Sequence, residues 1–207
     1  MREIEPAVEL LWITPNALRI IEAAGRTCYK SEDKIADGTA PDFVRRLLAR
    51  GHESVIEHAT ASFRIITDRG ISHEIVRHRL ASYSQESTRY CNYAREKFGG
   101  EIAVIRPPGM TIEQEAHWRR ACEEAERAYF ALLAAGATPQ IARAVLPTCL
   151  KTELVMTATF REWRHFIRLR AAPAAHPQMA AIAERIHQIL LRECPEVFED
   201  LSLARGS

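Results

Sequence analysis

The sequence predicts one mostly helical α/β domain with a small sheet, formed by residues 1–207. The chain is 207 residues long and 47% hydrophobic, which suits one well-packed core and leaves too little length for a second full-sized domain. Apolar residues recur mainly at helical spacing, and only two segments have the character of strands. No repeat, linker or low-complexity segment interrupts this pattern.

The first two predicted helices carry clear start and stop signals. Thr14 is a typical N-cap, and Pro15 is favoured at the first helical position. The apolar residues that follow at helical spacing are Ala17, Leu18, Ile21, Ala24 and Cys28. A second short helix is expected from Pro41 to Arg50, with an apolar face and with Gly51 as its C-terminal stop.

The next stretch is predicted to pass from a strand through a turn and a helix into a loop. Residues 59–67 combine Phe and Ile with β-tolerant Ala, Ser and Thr, which predicts a strand. Residues 68–70 are Asp-Arg-Gly and predict a turn, and residues 71–79 predict a helix. Residues 80–93 hold too many Ser, Thr, Gln and Asn residues for a core helix, so we expect an ordered loop there.

Helices dominate the predictions for the C-terminal half. Thr111 and Gln114 have the spacing of a capping box for a long helix that ends at Ala135, before Gly136. Residues 138–145 begin with Thr-Pro and predict a further helix.

The last three predicted elements are a strand and two helices. Residues 151–160 place apolar side chains on alternate positions, which favours a strand, although periodicity alone also allows a buried helix. Residues 161–170 and 176–192 each carry an apolar stripe at helical spacing, which predicts two amphipathic helices.

The near-zero net charge argues against a protein that binds a nucleic-acid polymer. Twenty-eight Lys and Arg residues against twenty-seven Asp and Glu residues leave a formal net charge of +1, so nothing in the total charge would gather a nucleic-acid polymer. A local cluster is present, because residues 64–89 hold five arginines and two histidines against three acids. We therefore expect a small anionic ligand, and a nucleic-acid-binding module is the weaker alternative.

Cysteine usage and the N-terminus indicate a soluble cytoplasmic protein. The five cysteines are odd in number, widely spaced and without a C-x-x-C pair, so neither a disulfide framework nor a zinc knuckle is expected. The first residues carry no signal-peptide core, and no apolar run is long enough to cross a bilayer.

The sequence does not predict a metal site. Four histidines, His52, His58, His73 and His78, are spaced by six, fifteen and five residues. These spacings do not place two ligands on one helix face, and no cysteine or repeated carboxylate completes a tetrahedral set.

The strongest local signal is the triplet Arg77-His78-Arg79, which is followed by a segment rich in hydroxyls and amides. Taken alone, such a triplet is typical of a solvated charge run at a helix end. Arginine also offers planar, bidentate donors that match phosphate and carboxylate oxygens, and neighbouring Ser, Thr and Gln side chains add further hydrogen bonds. The pattern therefore also fits recognition of a nucleotide.

Four separated segments of the chain carry recognisable motifs, and the triplet begins one of them. They follow the patterns R-H-R with S-x-R seven residues later, G-H-E-[ST]-x-x-E-H, A-R-x-V-L-P and R-x-W-R-H-F-[IL]-x-x-R. In this chain they stand at Arg77–Arg89, Gly51–His58, Ala142–Pro147 and Arg161–Arg170. Together these segments resemble the motifs of the flavin-dependent thymidylate synthases (the ThyX family).

The resemblance implies the fold and the reaction of that family. The fold would be α+β, with a small mixed, largely antiparallel sheet and surrounding helices. The reaction would convert dUMP to dTMP, with 5,10-methylenetetrahydrofolate as carbon donor and with FAD, reduced by NADPH, as hydride source; tetrahydrofolate is released. The protein would be a homotetramer with active sites at subunit interfaces, acting on the small molecules dUMP and folate.

The resemblance also implies the site residues. Those implied for FAD are Ser54, Arg77, His78, Arg79, Gln85, Thr159, Phe160, Arg161 and His165. Those implied for dUMP are Glu74, Arg77, Gln85, Glu86, Ser87, Thr88, Arg89, Arg143 and Arg170. Because this family needs no cysteine nucleophile, Cys91 is expected to be a bystander, and Ser87 is expected to bind phosphate.

Arg170 gives a clue of its own, because it lies four residues after Phe166 and seven after Trp163 on an apolar stripe. A guanidinium there needs an anionic partner. A carboxylate such as Glu153 or Glu184 is one candidate partner. The resemblance instead assigns Arg170 to the pyrimidine of dUMP, as the catalytic residue that stabilises negative charge on the ring.

Overall fold

The computed structural model describes residues 1–201 and shows helices around a small sheet. The strands are β1 (Arg2–Glu3), β2 (Ala7–Ile13), β3 (Thr60–Asp68), β4 (Ala81–Gln85), β5 (Ala103–Val104) and β6 (Lys151–Thr159). The α-helices are α1 (Ala17–Tyr29), α2 (Ala40–Ala49), α3 (Arg69–Ile75), α4 (Ile112–Ala134), α5 (Pro139–Ala142), α6 (Phe160–Arg170), α7 (Pro177–Glu193) and α8 (Pro195–Phe198). Short 3₁₀ segments are Glu32–Lys34, Glu53–His58, Glu96–Phe98 and Arg143–Val145. Among residues 1–201, none of the helices combines the length and apolar composition that crossing a lipid bilayer requires.

The main sheet has four strands in the order β2-β3-β6-β4 and is antiparallel. A separate parallel pair joins β1 to β5, with Arg2 opposite Ala103 and Glu3 opposite Val104. In β6 every second residue from Thr152 to Ala158 is buried. The strand predicted over this segment is therefore confirmed, and the alternative of a buried helix is wrong. The predicted α+β class with a largely antiparallel sheet is also confirmed.

The chain divides into two compact units, each built from three separate segments. The first unit comprises Met1–Ala7, Ile65–Arg77 and Ser84–Leu154. The second unit comprises Val8–Arg64, His78–Tyr83 and the chain from Val155 onward.

The second unit has its core under helix α6. Trp163 is fully buried, packs edge-on against Phe63 with 5.0 Å between ring centroids, and donates its indole N–H to the carbonyl oxygen of Ala61 at 3.0 Å. These contacts fasten α6 onto β3. Because the Trp163 and Phe63 rings are both buried and the indole N–H has an acceptor, these contacts stabilise the packing of α6 on β3.

A buried arginine ties the same helix to the C-terminal part of the second unit. Arg164 is only 1% exposed. Its guanidinium binds both carboxylate oxygens of Asp200 at 2.5 and 2.7 Å, and its Nε donates to Glu53 at 3.2 Å. It also donates to the carbonyl oxygen of Val197. A buried cation with two carboxylate partners is satisfied, whereas a buried cation that has lost one is costly.

The first unit is organised around helix α4, whose predicted start is confirmed. Thr111 Oγ1 accepts from the Gln114 amide at 3.2 Å, and Gln114 Oε1 accepts from the Thr111 amide at 2.9 Å. This is the reciprocal capping box that the sequence predicted. Tyr129 of this helix belongs to one apolar cluster with Tyr93 and Leu150.

The predicted start of the first helix is wrong. Helix α1 begins at Ala17, and its N-cap is Asn16, which takes a left-handed conformation with φ 52°. Thr14 lies outside the helix, and its hydroxyl accepts from the Thr60 amide at 2.9 Å. A hydrogen bond to the neighbouring strand thus replaces the local cap, while Asn is one of the residues that tolerates the left-handed region.

The predicted turn at residues 68–70 is also wrong. Strand β3 passes directly into α3, and the Asp68 carboxylate accepts from the Ile71 amide at 2.7 Å as an N-cap. Aspartate favours turns and helix caps for the same reason, since its short side chain bonds a nearby backbone N–H. Helix α3 then ends at Ile75, so the triplet Arg77–Arg79 follows a helix rather than belonging to one as predicted.

The polar loop predicted over residues 80–93 contains a strand. β4 covers Ala81–Gln85 and lies at the edge of the main sheet. An edge strand with one exposed face accepts Ser, Tyr and Gln, so polarity alone does not exclude a strand. The helix predicted over residues 138–145 is present as α5, and its last turn is the 3₁₀ segment Arg143–Val145.

Candidate active site

His78 lies at the centre of a polar group in the second unit. It stands just before β4 and is 5% exposed. Nδ1 lies 3.1 Å from Oε1 of Glu162, and Nε2 accepts from Nε of Arg170 at 3.0 Å. The hydroxyl of Tyr83 donates to the backbone carbonyl oxygen of His78 at 2.6 Å, and the Phe166 ring packs against the imidazole with 4.8 Å between centroids. The imidazole is thus fixed by both ring nitrogens, by its backbone and by packing.

The surroundings of His78 favour its neutral form. Burial is the largest effect and lowers the pKa of His78, the Arg170 guanidinium lowers it further, and the Glu162 carboxylate opposes both. Burial, with a smaller contribution from Glu162, raises the pKa of Tyr83 to about 12. The group is therefore a neutral imidazole between a carboxylate and a guanidinium, backed by a neutral phenol.

The same unit also carries exposed donors among the residues implied for FAD. Ser54, Arg79 and His165 are exposed, and the ring of His165 lies 5.6 Å from that of His78. Arg161 is also exposed and pairs with Glu57 at 2.5 Å. Guanidinium, imidazole and hydroxyl donors at a surface match the oxygens of a diphosphate. This donor set fits the anionic part of FAD.

Two residues implied for FAD have side chains that are already engaged. Phe160 is fully buried and packs against Phe198 with 5.4 Å between ring centroids. Thr159 caps α6, since its hydroxyl accepts from the Glu162 amide at 3.2 Å. A ligand would therefore meet these two positions chiefly through their backbone.

The same group contains three atoms at metal-ligand spacing. Ligand atoms of His78, Glu162 and His165 lie within 4.8 Å of one another. The His78 nitrogen on the Arg170 side already accepts a hydrogen bond from a guanidinium, which would repel a metal cation. The charge at this place therefore favours an anionic ligand over a metal ion.

A second polar group lies in the first unit and contains the end of β4 and the segment after it. Gln85 Nε2 donates to Ser72 Oγ at 2.9 Å and to Thr152 Oγ1 at 3.1 Å. The Glu86 carboxylate pairs with Lys151 Nζ at 2.7 Å and accepts from the Tyr93 hydroxyl at 3.0 Å. The start of this segment is therefore held from three sides.

Two exposed arginines, Arg89 within this segment and Arg143 bound to it, lie next to Ser87 and Thr88. Arg143 donates to the Thr88 hydroxyl at 3.3 Å, and Arg89 Nε donates to Gln140 Oε1 at 3.1 Å. Ser87 Oγ accepts from the Arg89 amide at 3.3 Å. Two guanidinium groups and a hydroxyl around one loop suit a phosphate monoester.

The structure thus brings the site residues implied by the motifs into two groups. The second-unit group holds Ser54, His78, Arg79, Thr159, Phe160, Arg161, His165 and Arg170. The first-unit group holds Gln85, Glu86, Ser87, Thr88, Arg89 and Arg143, and the same unit also contains half-buried Glu74 and exposed Arg77.

The sequence reasoning missed Glu162, Tyr83, Lys151 and Gln140. Glu162 stands three residues after Thr159, a T-x-x-E spacing that signals a helix start rather than a charge partner for a distant histidine. Its partner His78 is 84 positions away. Lys151 lies on a strand recognised only by its apolar alternation. No local pattern marks either residue as part of a site.

Comparison with known proteins identifies the family. The family model described as thymidylate synthase complementing protein matches residues 9–196. The flavin-dependent thymidylate synthase of Mycolicibacterium gilvum is 35% identical over 96% of this chain and 85% of that protein. The enzyme of the same name from Mycobacterium tuberculosis strain H37Rv is 36% identical over 89% and 79%.

A solved structure shares the fold. It is a UMP/dUMP methylase, PolB, from Streptomyces cacaoi, bound with 5-Br dUMP, and it superposes with a TM-score of 0.81 over 96% of each chain at 24% identity. This likeness shows the fold, and the family model and the relatives show a methyltransferase enzyme. The chain belongs to the flavin-dependent thymidylate synthase family.

Proposed function

We propose that the protein converts dUMP to dTMP, using 5,10-methylenetetrahydrofolate as carbon donor and FAD reduced by NADPH, and releasing tetrahydrofolate. The observation that carries the proposal is the placement of Arg170, a half-buried guanidinium that donates to a buried neutral histidine. Bound FAD would supply the hydride. The chain itself must bind the substrates, orient them and stabilise the charge that develops on the pyrimidine.

The flavin is assigned to the exposed donors of the second unit. Arg79, Arg161 and His165 would bind its phosphate oxygens by charge-assisted hydrogen bonds, and Ser54 would add a hydroxyl. Arg77 and Gln85 are assigned to the flavin as well as to the nucleotide. Thr159 and Phe160 would contribute backbone groups, because their side chains are taken up by the cap and the core.

The nucleotide is assigned to the remaining motif residues. Ser87, Arg89 and Arg143 would bind the phosphate, Thr88 would hold Arg143, and Glu74 would contact the nucleotide. Arg170 would face the pyrimidine, where a cation lowers the free energy of a ring that loses its N3 proton and so makes C5 more nucleophilic. No attack by a cysteine on C6 is required, and Cys91 stays outside this chemistry.

We further propose that residues 1–207 act as one domain in a cytoplasmic homotetramer whose active sites lie at subunit interfaces. In that arrangement different subunits contribute the flavin and nucleotide residues to one site. The monomer would then be inactive, because no single copy would supply a complete set.

The test is made on the purified protein with FAD. Its visible spectrum is recorded, NADPH is added under anaerobic conditions with and without dUMP, and dTMP is then measured after addition of methylenetetrahydrofolate. Flavin bands that bleach, followed by dTMP formation, support the proposal. A colourless protein that takes up no FAD contradicts it and favours the nucleic-acid-binding alternative, for which salt-dependent binding is the signature.

A further inference from the structure

The hydrogen bonds around His78 determine which of its nitrogens carries the proton. The Arg170 Nε always bears a hydrogen at physiological pH, since the guanidinium does not deprotonate in proteins. It lies 3.0 Å from His78 Nε2, so Nε2 must present its lone pair. A neutral imidazole then carries its hydrogen on Nδ1, which donates to Glu162 Oε1 at 3.1 Å.

The three side chains therefore form a directed chain of hydrogen bonds. Glu162 accepts from the imidazole, and the imidazole accepts from the guanidinium. If the Glu162 oxygen were removed, the buried Nδ1–H would lose its acceptor, and only the Arg170 N–H would oppose the Nε2–H tautomer. In that tautomer, two N–H groups would face each other between His78 and Arg170, and the guanidinium would have to move.

Burial strengthens the preference of His78 for the Nδ1–H tautomer. His78 is 5% exposed and Glu162 is 7% exposed, so little water reaches either group to replace a lost partner. The other groups that face the imidazole are the backbone-bonded Tyr83, the packed Phe166 and the ring of His165. The Tyr83 hydroxyl donates to the backbone carbonyl of His78, and the Glu162 carboxylate oxygen, 3.1 Å from Nδ1, is the acceptor for that nitrogen.

From this arrangement we infer that Glu162 is a positioning residue of the reaction, which acts through His78 to fix the guanidinium plane of Arg170. The inference rests on the proposed function for what Arg170 does, and on the hydrogen bonds alone for how Arg170 is held. A displacement of a stabilising cation by about 1 Å costs roughly a hundredfold in rate, so the chain from Glu162 to Arg170 matters for turnover.

The experiment compares Glu162→Ala with Glu162→Gln in the FAD-loaded enzyme. Glutamine keeps an acceptor oxygen for Nδ1 and removes the charge, whereas alanine removes the acceptor. Glu22→Gln is the matched control, because Glu22 is another buried carboxylate of the second unit, 1% exposed and paired with Arg26 at 2.9 Å. Its loss should lower the melting temperature without touching the chain of hydrogen bonds.

Three measurements are made on each variant. ¹⁵N NMR of His78 reports which ring nitrogen carries hydrogen, pre-steady-state bleaching reports flavin reduction by NADPH, and steady-state assays give kcat and KM for dTMP formation. We expect the Nδ1–H tautomer in the wild type and a rise in the share of the Nε2–H tautomer in Glu162→Ala. We also expect a fall in kcat of about 10- to 100-fold with unchanged flavin reduction in Glu162→Ala, and substantial recovery in Glu162→Gln.

Three results would overturn the inference. They are an Nε2–H tautomer in the wild type, a kcat within twofold of wild type in Glu162→Ala, or an equal loss of kcat in Glu22→Gln at a matched loss of melting temperature. If the wild type makes no dTMP, the proposed function fails. The NMR spectra of His78 and Arg170 then still decide whether Glu162 sets the position of the guanidinium.

Discussion

The ammonium of Lys151 lies 2.7 Å from the Glu86 carboxylate, which also accepts from the Tyr93 hydroxyl at 3.0 Å. The motifs implied that Glu86 contacts dUMP. The structure gives its carboxylate two protein partners, so Glu86 anchors the start of the segment that carries Ser87 and Arg89. Burial and the negative charge of Glu86 raise the pKa of Tyr93, which keeps the phenol protonated as a donor.

Replacing Lys151 tests this anchor. In Lys151→Met the Glu86 carboxylate loses its cation while 13% exposed, and we expect KM for dUMP to rise by about tenfold with FAD content unchanged. Lys151→Arg keeps a cation and serves as the control, with KM close to wild type. Steady-state kinetics with varied dUMP make the measurement, and an unchanged KM in Lys151→Met would remove the anchoring role.

Replacing Arg170 tests the catalytic assignment. Because the guanidinium is assigned to the developing charge on the pyrimidine, Arg170→Ala should lower kcat for dTMP formation by about 10²- to 10³-fold while leaving most of the FAD bound. Single-turnover dTMP formation and the flavin absorbance are measured on the same sample. Activity equal to wild type would contradict the assignment.

Replacing Arg79 tests the flavin assignment. Arg79 is exposed, so Arg79→Ala should fold normally. We expect this variant to bind FAD roughly tenfold more weakly, because one charge-assisted contact is lost. Arg19→Ala, an exposed arginine of α1 in the same unit, is the control that should leave FAD affinity unchanged. Fluorescence titration of FAD distinguishes the two, and equal affinities in both variants would argue against the contact.

Replacing Asp200 tests the buried ion network of α6. Asp200→Ala removes the bidentate partner of Arg164, a guanidinium that is 1% exposed. Because the Asp200 side chain is 51% exposed and Arg164 keeps Glu53 and the Val197 carbonyl as acceptors, we expect a cost of about 2 kcal/mol and a fall in melting temperature of roughly 5 °C. Calorimetry of the FAD-free protein is the measurement. A fall below about 2 °C would show that Glu53 and the Val197 carbonyl hold Arg164 without Asp200.

The thiol pair of the first unit gives a pH-dependent prediction. Cys122 and Cys149 have their sulfur atoms 3.4 Å apart. The hydrogen bond from Cys122 lowers the pKa of Cys149 to about 7 and raises that of Cys122. Since the thiolate is the reactive form, the rate of Cys149 alkylation should rise through about pH 7 and level off above it.

Removing the donor should reverse this behaviour. In Cys122→Ala the hydrogen bond is lost while burial, which raises the pKa of Cys149, remains. The midpoint for alkylation by iodoacetamide, followed by mass spectrometry of the modified peptide, should then move to higher pH. Exposed Cys28 provides the internal reference in the same sample, and equal midpoints for Cys149 in both proteins would contradict the predicted effect.

Much of the fold could be predicted because the relevant signals are local. The capping box at Thr111 and Gln114, the alternation in β6 and the apolar stripe of α6 each depend on residues a few positions apart, and all three are confirmed. Predictions that depended on one residue type with two common uses were wrong. The sequence predicts Thr14 as the N-cap of α1, but the N-cap is Asn16. It predicts a turn at Asp68, but Asp68 is the N-cap of α3.

The sequence by itself determined the family, most of the helices and the candidate ligand-binding residues of the motifs, since motifs and periodicity depend on neighbouring residues. Only the tertiary structure decided how those residues are held. Glu162 lies 84 positions and Arg170 lies 92 positions from His78, and Lys151 lies 65 positions from Glu86. Pairing at such separations is set by which strands and helices pack together, and burial then decides the protonation of the imidazole and the direction of its hydrogen bonds.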